Sequence, residues 1–287
     1  MTVNFYFLGK EHATSSFDSA RPPVLTVAPG DTVTFETDDS GYALLRDGQV
    51  DPDDHGSFNR VTGPVAVEGA EPGDTMVIEI LDIEITRVWA PWFPDYGAFK
   101  SDTAHVRQLD IHDGLIRISP TLAVPLAPMI GCIGLAPAAG ESSTYVPAYP
   151  WGGNMDLLEL GPGATLYLPV QTPGGLLSVG DLHAAMGRGE PLNVGLEAGG
   201  KATLRLGLEK DRTLRFPRIR LPGLILCVGI GETPDEARLA AVAEAHDLLF
   251  RERGMSALDA FAFAAATLGL RFGGPATEIV LAEVPDC

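Results

Sequence analysis

The chain has 287 residues, 45% of them apolar, which is enough to bury a substantial core in one large domain or two modest ones. Its 38 acidic and 20 basic residues give a formal net charge of −18, which argues against binding to nucleic acid phosphates or to anionic membranes. A small neutral or cationic substrate is compatible with this charge, and so is an acidic surface that only aids solubility.

Cysteine usage and the N-terminus predict a cytoplasmic protein. The three cysteines, Cys132, Cys227 and Cys287, have no metal-type spacing, and their odd number excludes a fully paired set of disulfides within the chain. The first residues lack the basic and apolar segments of a signal peptide, and no later stretch has the roughly 18 apolar residues of a spanning helix.

The N-terminal part is predicted to consist of short strands. Residues 3–8 and 24–37 have strand-like patterns, and the turn Pro29-Gly-Asp-Thr32 is followed by residues that alternate between apolar and polar. The same turn and alternation recur at Pro72-Gly-Asp-Thr75, with a weaker copy at Gly161-Pro-Gly163. Strands preceded by such turns build a β-sandwich or barrel, in which the repeated aspartate forms the turn.

Between these strands lie polar loops and one isolated acid. Residues 37–42 and 51–59 are acidic and loop-like, and loops at the ends of a rigid sheet often carry sites. Glu68 follows an apolar strand and precedes a glycine, which suits either a partly desolvated carboxylate for proton transfer or an ordinary surface carboxylate.

The middle of the chain offers a pocket wall and a hydrogen-bond donor. Residues 87–113 are aromatic and irregular, as in a lid, a pocket wall or an oligomer contact. Asn154 follows Gly152 and Gly153, which leave room for a close backbone approach. It could therefore donate to a developing oxyanion, or it could simply tolerate a left-handed turn.

Residues 173–190 hold the densest group of chemically active side chains. Asp181, His183 and Glu190 lie within ten residues, between glycines that allow tight turns. If the chain is extended there, Asp181 and His183 lie on one face. An Asp, a His and a Glu suit either a metal site or an acid/base pair, and their spacing does not separate the two.

The C-terminal part changes from strand to helix period. Residues 201–208, 213–220 and 224–229 are predicted strands, followed by a helix from Thr233 to Arg253 with Thr233 as N-cap. A second helix runs from Ser256 to Gly269, and a last strand starts at Glu278. The prediction is a mainly β, α+β protein with a β-rich catalytic region at residues 1–220. An α/β portion with two helices packed on the sheet follows at residues 221–287, integrated into one domain.

Five motifs in order resemble the acetamidase/formamidase family of amide hydrolases. They are Pro29-Gly-Asp-Thr-Val-Thr-Phe-Glu-Thr-Asp38, Gly63-Pro-Val-Ala-Val-Glu-Gly-Ala-Glu-Pro-Gly-Asp74, Ile130-Gly-Cys-Ile-Gly-Leu-Ala-Pro137, Gly152-Gly-Asn-Met-Asp156, and Leu177-Ser-Val-Gly-Asp-Leu-His-Ala-Ala-Met-Gly-Arg-Gly-Glu190. The last motif is the most specific, and the match spans nearly the whole chain. One departure is Arg271-Phe-Gly-Gly-Pro275, which replaces a polar continuation of the last helix and concerns packing.

The resemblance implies a metal-dependent hydrolase of short aliphatic amides, such as formamide and acetamide, that releases carboxylate and ammonia. It implies zinc as the divalent metal and a homodimer or higher even oligomer. The site carried over by motif position is Asp38, Glu68, Asn154, Asp156, Asp181, His183 and Glu190. Within it we predict Asp38, Asp181 and His183 as metal ligands, Glu68 or Glu190 as proton shuttle, and Asn154 as oxyanion donor.

Two alternatives keep the same fold. A cyclic amide such as a lactam would suit a wider pocket lined by Trp89, Trp92, Phe93 and Tyr96. A non-catalytic β-sandwich that binds a small ligand would also place polar loops around a cavity.

Overall fold

The computed structural model describes residues 3–94, 99–275 and 278–286. Strands hold 45% of these described residues and helices 15%, which confirms the mainly β prediction. Tyr96 and Cys287, named above, lie outside the described residues.

The strands and helices follow one another along the chain in three groups. The first group is β1 (Phe5–Leu8), β2 (Ala13–Thr14), β3 (Ser16–Asp18), β4 (Leu25–Val27), β5 (Thr32–Glu36), α1 (Ser40–Arg46), β6 (Val61–Val67), β7 (Thr75–Trp92), β8 (His105–His112), β9 (Leu115–Ser119) and β10 (Leu122–Pro125). The second group is β11 (Met129–Gly134), β12 (Glu141–Ser143), β13 (Ala148–Tyr149), β14 (Gly152–Asn154), β15 (Thr165–Pro169), β16 (Leu177–Ala185) and β17 (Leu196–Glu209). The third group is β18 (Arg218–Leu221), β19 (Leu224–Gly231), α2 (Pro234–Asp247), α3 (Ala257–Thr267), β20 (Gly269–Phe272) and β21 (Glu278–Pro285). Short 3₁₀ turns lie at Lys10–His12 and His55–Ser57, and a π-helical turn at Leu248–Glu252 extends α2.

A curled, mostly antiparallel sheet forms the body of the protein. Its longest ladder joins β7 to β17, from Trp89 opposite Glu197 to Thr75 opposite Glu209. Strand β16 lies between β11 and β17 at the level of His183, and it pairs with β6 nearer its start. The sheet therefore brings chain segments that are far apart in sequence beside β16.

The Pro-Gly-Asp turns hold the strands in register. Asp31 accepts hydrogen bonds from the backbone N–H of Asn4, at 2.9 Å, and of Ala28, at 3.0 Å. Asp74 accepts one from the backbone N–H of Glu71 at 2.8 Å and one from Lys210 Nζ at 2.6 Å. Both carboxylates therefore satisfy turn donors, as expected of an aspartate that forms a turn.

The predicted C-terminal helices cover one face of β19 and β21. Thr233 and Ser256 cap α2 and α3 through the backbone N–H of Glu236 and Asp259. Gly229 allows α2 to lie directly on the sheet, because a Cβ there would come within 2.1 Å of the Ala237 carbonyl oxygen. Strand β18 pairs with β19, so the sheet continues across residue 220. The predicted division into regions at residue 220 stays a prediction.

Three regions differ from the sequence-based prediction. Of the strand predicted at residues 213–220, only the part from Arg218 onward is a strand, β18. The aromatic segment after residue 87 continues β7 as a strand to Trp92, because β17 pairs with β7 as far as Trp89 and β8 pairs with it from Val88 to Trp92. The polar loop after Thr37 contains the seven-residue helix α1, which is too short to show a helical period in the sequence. Within the described ranges, no helix has the length and apolar character needed to cross a membrane.

Candidate active site

Four carboxylates surround one imidazole at the bottom of a small pocket, and we call this group the acidic centre. Its members are Asp156, Asp181, His183, Glu190 and Glu197, each between 1% and 9% exposed. His183 Nε2 lies 3.6 Å from Asp156 Oδ1, 3.6 Å from Asp181 Oδ2 and 3.4 Å from Glu197 Oε2. Two triads that share His183 offer ligand atoms within 4.8 Å of one another, one with Asp156 and Glu190 and one with Asp181 and Glu197.

The sheet assembles the centre from two strands and two connecting segments. Strand β16 carries Asp181 and His183, and both line the pocket as predicted, although the backbone at Asp181 is left-handed rather than extended. Glu197 lies directly opposite His183 on β17. Asp156 follows β14, whose Asn154 lies opposite Cys132 on β11. Glu190 comes from a turn closed by a 3.0 Å hydrogen bond from its own N–H to the Gly187 carbonyl.

Backbone conformation at the centre is unusual. Asp156, Asp181 and Glu190 have φ values of 47°, 52° and 42°, in the left-handed region that non-glycine residues seldom occupy. Each such residue costs on the order of 1–3 kcal/mol, and such residues concentrate at functional sites. Three of the four carboxylates therefore reach their positions only because the surrounding sheet holds the strained backbone.

Glycines make the room that the centre needs. A Cβ on Gly131 would lie 2.6 Å from Asp181 Oδ2 and 2.7 Å from Asp156 Oδ1. A Cβ on Gly195 would lie 2.5 Å from His183 Nδ1, and one on Gly274 would lie 2.5 Å from the Cβ of Asp156. Side chains at these positions would collide with the centre, so the glycines define its shape.

Burial and mutual repulsion raise the pKa values of the acids. Burial, followed by the charge of Glu190, raises the pKa of Asp156 well above its usual range. Burial also raises the pKa of Glu190 to about 7 and that of Glu197 to about 8. Burial lowers the pKa of His183, but the charges of Glu197 and Asp181 outweigh this effect and raise it well above its ordinary value.

The donor set fits a divalent metal ion. Both carboxylate oxygens of Asp156 are buried and have no hydrogen-bond partner in the described part of the chain. Among the described residues that line the pocket there is no lysine or arginine to balance the acids. Imidazole nitrogen and carboxylate oxygen are ordinary zinc ligands, and a cation is the partner that a buried group of acids requires.

Two asparagines complete the polar wall. Asn59 Nδ2 donates to Asn154 Oδ1 at 3.1 Å and to Asp181 Oδ2 at 3.2 Å, which fixes the orientation of the aspartate. Asn154 Nδ2 donates to the Tyr145 carbonyl at 3.2 Å. Asn154 itself is not in the left-handed region, which its preceding glycines occupy with φ values of 101° and 114°.

The structure places two predicted site residues away from the centre. Asp38 Oδ2 lies 2.7 Å from Arg60 Nη1. The carboxylate that was predicted to bind a metal ion is therefore paired with a guanidinium. Glu68 is exposed in the turn after β6, where its backbone N–H donates to the Val27 carbonyl at 2.8 Å. The exposed position matches the alternative interpretation of Glu68 as a surface carboxylate.

Sequence reasoning missed two residues of the site: Glu197, a member of the acidic centre, and Asn59, which contacts it. Both reach the centre by tertiary contacts across the sheet, Glu197 through its register with His183 and Asn59 through its hydrogen bond to Asp181. The available signal for Glu197 is a lone acid within the apolar and glycine-rich start of β17, at residues 196–200.

Aromatic side chains narrow the pocket above the centre. Tyr42, Phe58 and Phe93 form part of its lining, and the rings of His55 and Tyr145 stack with centroids 4.2 Å apart. The cavity holds about 50 Å³. At 10–15 Å³ for each water molecule, that is room for roughly three to five waters.

The other aromatic residues of the β7 end do not line this pocket. Trp89 is buried behind it and donates from Nε1 to Asp39 Oδ2 at 2.8 Å. Trp92 lines a separate apolar groove with Phe99, Leu192 and Val194. Of the four aromatic residues that the lactam alternative places in the pocket wall, Phe93 lines the pocket, Trp89 and Trp92 do not, and Tyr96 lies outside the described residues.

The fold and the site together define a β-rich protein with a buried, metal-type acidic centre at the base of a pocket for a very small ligand. Sequence comparison identifies the family. The model of the Acetamidase/Formamidase family matches residues 10–102 and 102–226, so this chain belongs to that family.

Individual relatives agree with this assignment. The structure is similar to a predicted acetamidase/formamidase from Thermoanaerobacter tengcongensis, with a TM-score of 0.92, 28% identity and coverage of 99% of this chain and 97% of that chain. An acetamidase from Bacillus halodurans matches with a TM-score of 0.89 and 31% identity, over 97% of each chain. A formamidase from Methylophilus methylotrophus is 28% identical over 68% of this chain and 63% of its own length. This chain thus spans less than two thirds of that curated relative.

Proposed function

We propose that the chain is a metal-dependent amidase that hydrolyses short aliphatic amides, of the formamide and acetamide type, to carboxylate and ammonia. It would act on linear carbon–nitrogen bonds other than peptide bonds. The observation that carries the proposal is the acidic centre around His183 at the base of a cavity of about 50 Å³. Membership of the family and the names of its relatives support the choice of amides.

Zinc is the proposed metal, and the two triads around His183 would hold it. One triad adds Asp156 and Glu190 to the histidine, and the other adds Asp181 and Glu197. When bound, a zinc ion lowers the pKa of a water molecule to about 7 and polarises a carbonyl oxygen. Asp38 is no longer part of the proposed ligand set, because Arg60 holds it elsewhere.

A carboxylate of the centre would carry the proton. The pKa of Glu190 is raised to about 7 and that of Glu197 to about 8, and a group that titrates near neutral pH both accepts and returns a proton efficiently. The acid that does not hold the metal would take a proton from the attacking water and deliver it to the leaving amine. Of the two proton shuttles predicted from the sequence, Glu190 remains a candidate, and Glu68 is not proposed because it is exposed and is not among the pocket residues.

The asparagines orient the reacting groups. The side-chain amide of Asn59 donates a hydrogen bond to Asp181 and so fixes the orientation of its carboxylate in the pocket. Asn154 uses one N–H on the Tyr145 carbonyl, and its second N–H is the proposed donor to the oxyanion. The aromatic lining would exclude bulk water and limit the acyl group to a few atoms.

An ammonia-release assay over an amide series tests the proposal. We expect turnover of formamide and acetamide and a steep fall at propionamide and butyramide, because each added methylene exceeds the space of the cavity. Removal of metal with a chelator is expected to abolish turnover, and added zinc to restore it.

The same assay also tests the alternatives. Full activity of the chelated, metal-free protein would exclude the metal mechanism. Preference for a lactam over acetamide would favour the cyclic-amide alternative. No turnover of any amide, together with amide binding that His183→Ala leaves unchanged, would favour the non-catalytic binder.

The proposal includes a cytoplasmic location and a homodimer or higher even oligomer, with no nucleic acid or membrane partner. These parts rest on the sequence, its charge and the family resemblance. The exposed Trp92 and Phe99 at the β7 end are the candidate contact between copies. Light scattering of the wild type and of Phe99→Ser measures the oligomer, and a monomeric wild type would contradict this part.

A further inference from the structure

A second cluster of charged residues lies beside the acidic centre, and we call it the anchor cluster. It consists of Glu159, Arg188, Arg271 and Glu283. Glu159 is almost fully buried, with 4% of its side chain exposed. Its Oε1 lies 2.8 Å from Arg188 Nη1 and 2.9 Å from Arg271 Nη1, and Arg271 also pairs with Glu283. The cluster is electrically balanced, in contrast to the centre.

The anchor cluster joins the two turns that carry Asp156 and Glu190. Glu159 lies three residues after Asp156, in a turn closed by a hydrogen bond from the Leu160 N–H to the Leu157 carbonyl at 2.9 Å. Arg188 lies two residues before Glu190, in the turn that ends β16. The Glu159–Arg188 ion pair is therefore a direct bridge between the segments that supply one metal-type triad with its two acids.

The backbone after β20 supports both turns from behind. The N–H of Gly274 donates to the Met155 carbonyl at 3.0 Å, and a Cβ on Gly189 would lie 3.3 Å from the Gly273 carbonyl oxygen. Arg271 lies on β20, just before this segment, and its Nη1 pairs with Glu159. The same segment thus contacts the Asp156 turn and the Glu190 turn, independently of the arginine side chains.

Glu190 needs such support more than the other acids do. Asp181 and Glu197 lie within strands that neighbouring strands fix on both sides. Glu190 lies in a turn between β16 and β17, with a strained φ of 42° and a pair of turn hydrogen bonds, to the Gly187 carbonyl and from the Asn193 N–H. A turn with so few bonds needs a further contact to hold one conformation.

We infer that Glu159 is a positioning residue. Its ion pair with Arg188 holds the turn that carries Glu190, and so keeps Glu190 beside Asp156 and His183. The inference rests on the proposed function for its kinetic consequence, but the placement of the turn does not depend on that function. Outer contacts of this type orient metal ligands, and their loss typically costs about ten- to a hundredfold in metal affinity or activity.

The experiment compares Glu159→Gln with Glu244→Gln in the full chain. Glu244 is a matched control, because it is 5% exposed and pairs with the half-exposed Arg215 at 2.6 Å, but on α2 rather than beside the centre. We expect Glu159→Gln to weaken zinc binding and acetamide turnover roughly tenfold or more, and Glu244→Gln to change both by less than about threefold. Zinc affinity is measured by competition with a chromophoric chelator, and turnover by ammonia release.

Arg188 supplies a second variant that does not depend on a buried substitution. Arg188→Ala is expected to reproduce the defect of Glu159→Gln, and the double variant to be no worse than either, because both act through one contact. Arg188→Lys, which keeps a cation within reach of Glu159, is expected to recover part of the loss. Additive losses in the double variant, or a Glu159→Gln protein equal to the Glu244→Gln control, would overturn the inference.

Hydrogen exchange separates this inference from the proposed function. Faster amide exchange at residues 187–193 in Glu159→Gln and Arg188→Ala, but not in Glu244→Gln, is expected whether or not the protein is an amidase. If the wild type had no amidase activity, the proposed function would be wrong. The exchange and zinc-binding results would still test whether Glu159 positions the Glu190 turn. Unchanged exchange at this turn would overturn the anchor even in a fully active amidase.

Discussion

Two sets of buried acids in this chain behave in opposite ways. The scaffold acids are Asp31, Asp39 and Asp74, and the centre acids compared with them are Asp156, Glu190 and Glu197. The pKa values of the scaffold acids are lowered, and those of the centre acids are raised. Both sets are removed from water, so burial alone does not explain the difference.

Hydrogen-bond donors account for it. Asp39 receives bonds from Arg87 Nε at 2.7 Å and Trp89 Nε1 at 2.8 Å, and Asp74 receives Lys210 and backbone N–H groups. These donors outweigh the effect of burial, which by itself raises the pKa of each acid. The centre acids face one another and His183, and Asp156 receives no hydrogen bond from the described residues. The scaffold acids thus find their hydrogen-bond donors within the chain, whereas Asp156 finds none in its described part, which is the reason for proposing a metal ion there.

The largest expected effect is on catalysis by Asp156→Asn. We expect the variant to lose at least about a hundredfold in amide turnover, because a metal ligand or proton carrier is removed. The metal-free variant should nevertheless be more stable than the metal-free wild type by on the order of 1 kcal/mol. The raised pKa of Asp156 means that folding either takes up a proton there or buries a repelled charge, and asparagine avoids both. Urea unfolding in the presence of a chelator measures the free energy of unfolding of both proteins. A less stable variant would show that Asp156 stabilises the fold as the scaffold acids do.

The pH dependence of stability comes next, on the order of a few kcal/mol in the metal-free protein. The pKa values of Glu190 and Glu197 are raised from 4.5 to about 7 and about 8, so the folded state holds more protons than the unfolded state between pH 4.5 and 8. The raised pKa of His183 acts in the same direction above pH 6.5. Stability should therefore fall from pH 5.5 to 8.5 in chelator. Saturating zinc, which needs deprotonated ligands, should remove or reverse the trend, and an equal slope with and without zinc would refute this assignment.

A glycine at the wall of the centre gives the third effect. Gly131→Ala should weaken zinc binding by roughly ten- to a hundredfold, because the new methyl group pushes Asp181 and Asp156 apart. Gly207→Ala is the control, since its Cβ would meet Val77 at an ordinary 3.4 Å on β17. Equal zinc affinities for the two variants would show that the narrow fit around Gly131 is not needed.

The smallest effect concerns a scaffold acid. Asp39→Asn should lower the free energy of unfolding by about 2 kcal/mol, because charged hydrogen bonds to Arg87 and Trp89 weaken. Asp47→Asn, at a half-exposed ion pair with Arg46, should change it by less than about 1 kcal/mol. The Asp39 loss should persist in saturating zinc, whereas dependence on zinc would move Asp39 into the functional set.

Local patterns predicted much of this architecture. The Pro-Gly-Asp turns, the alternating strands and the two capped helices follow from short-range rules, because turn chemistry and capping depend on neighbours in sequence. The short helix α1 and the full length of β7 were not predicted. Helix α1 is too short to show a helical period, and the length of β7 depends on its pairing with strands from later in the chain.

The site divides in the same way. The Asp-Leu-His spacing in one strand brings Asp181 and His183 together, and Glu190 follows closely enough to return by a turn. Asp38 and Glu68 were predicted beside them, but neither is among the described residues that line the pocket, because a motif position does not tell which partner a carboxylate meets. Asp38 meets Arg60, and Glu68 meets solvent.

The sequence by itself thus determined the family, the β-rich class and the strand that carries the histidine. Only the tertiary structure placed Glu197 opposite His183, Asn59 against Asp181 and Glu159 on Arg188. Strand register and the contacts between turns are long-range properties, because they depend on how distant segments pair across the sheet. The same packing decides which buried acids find hydrogen-bond donors and which face one another around His183.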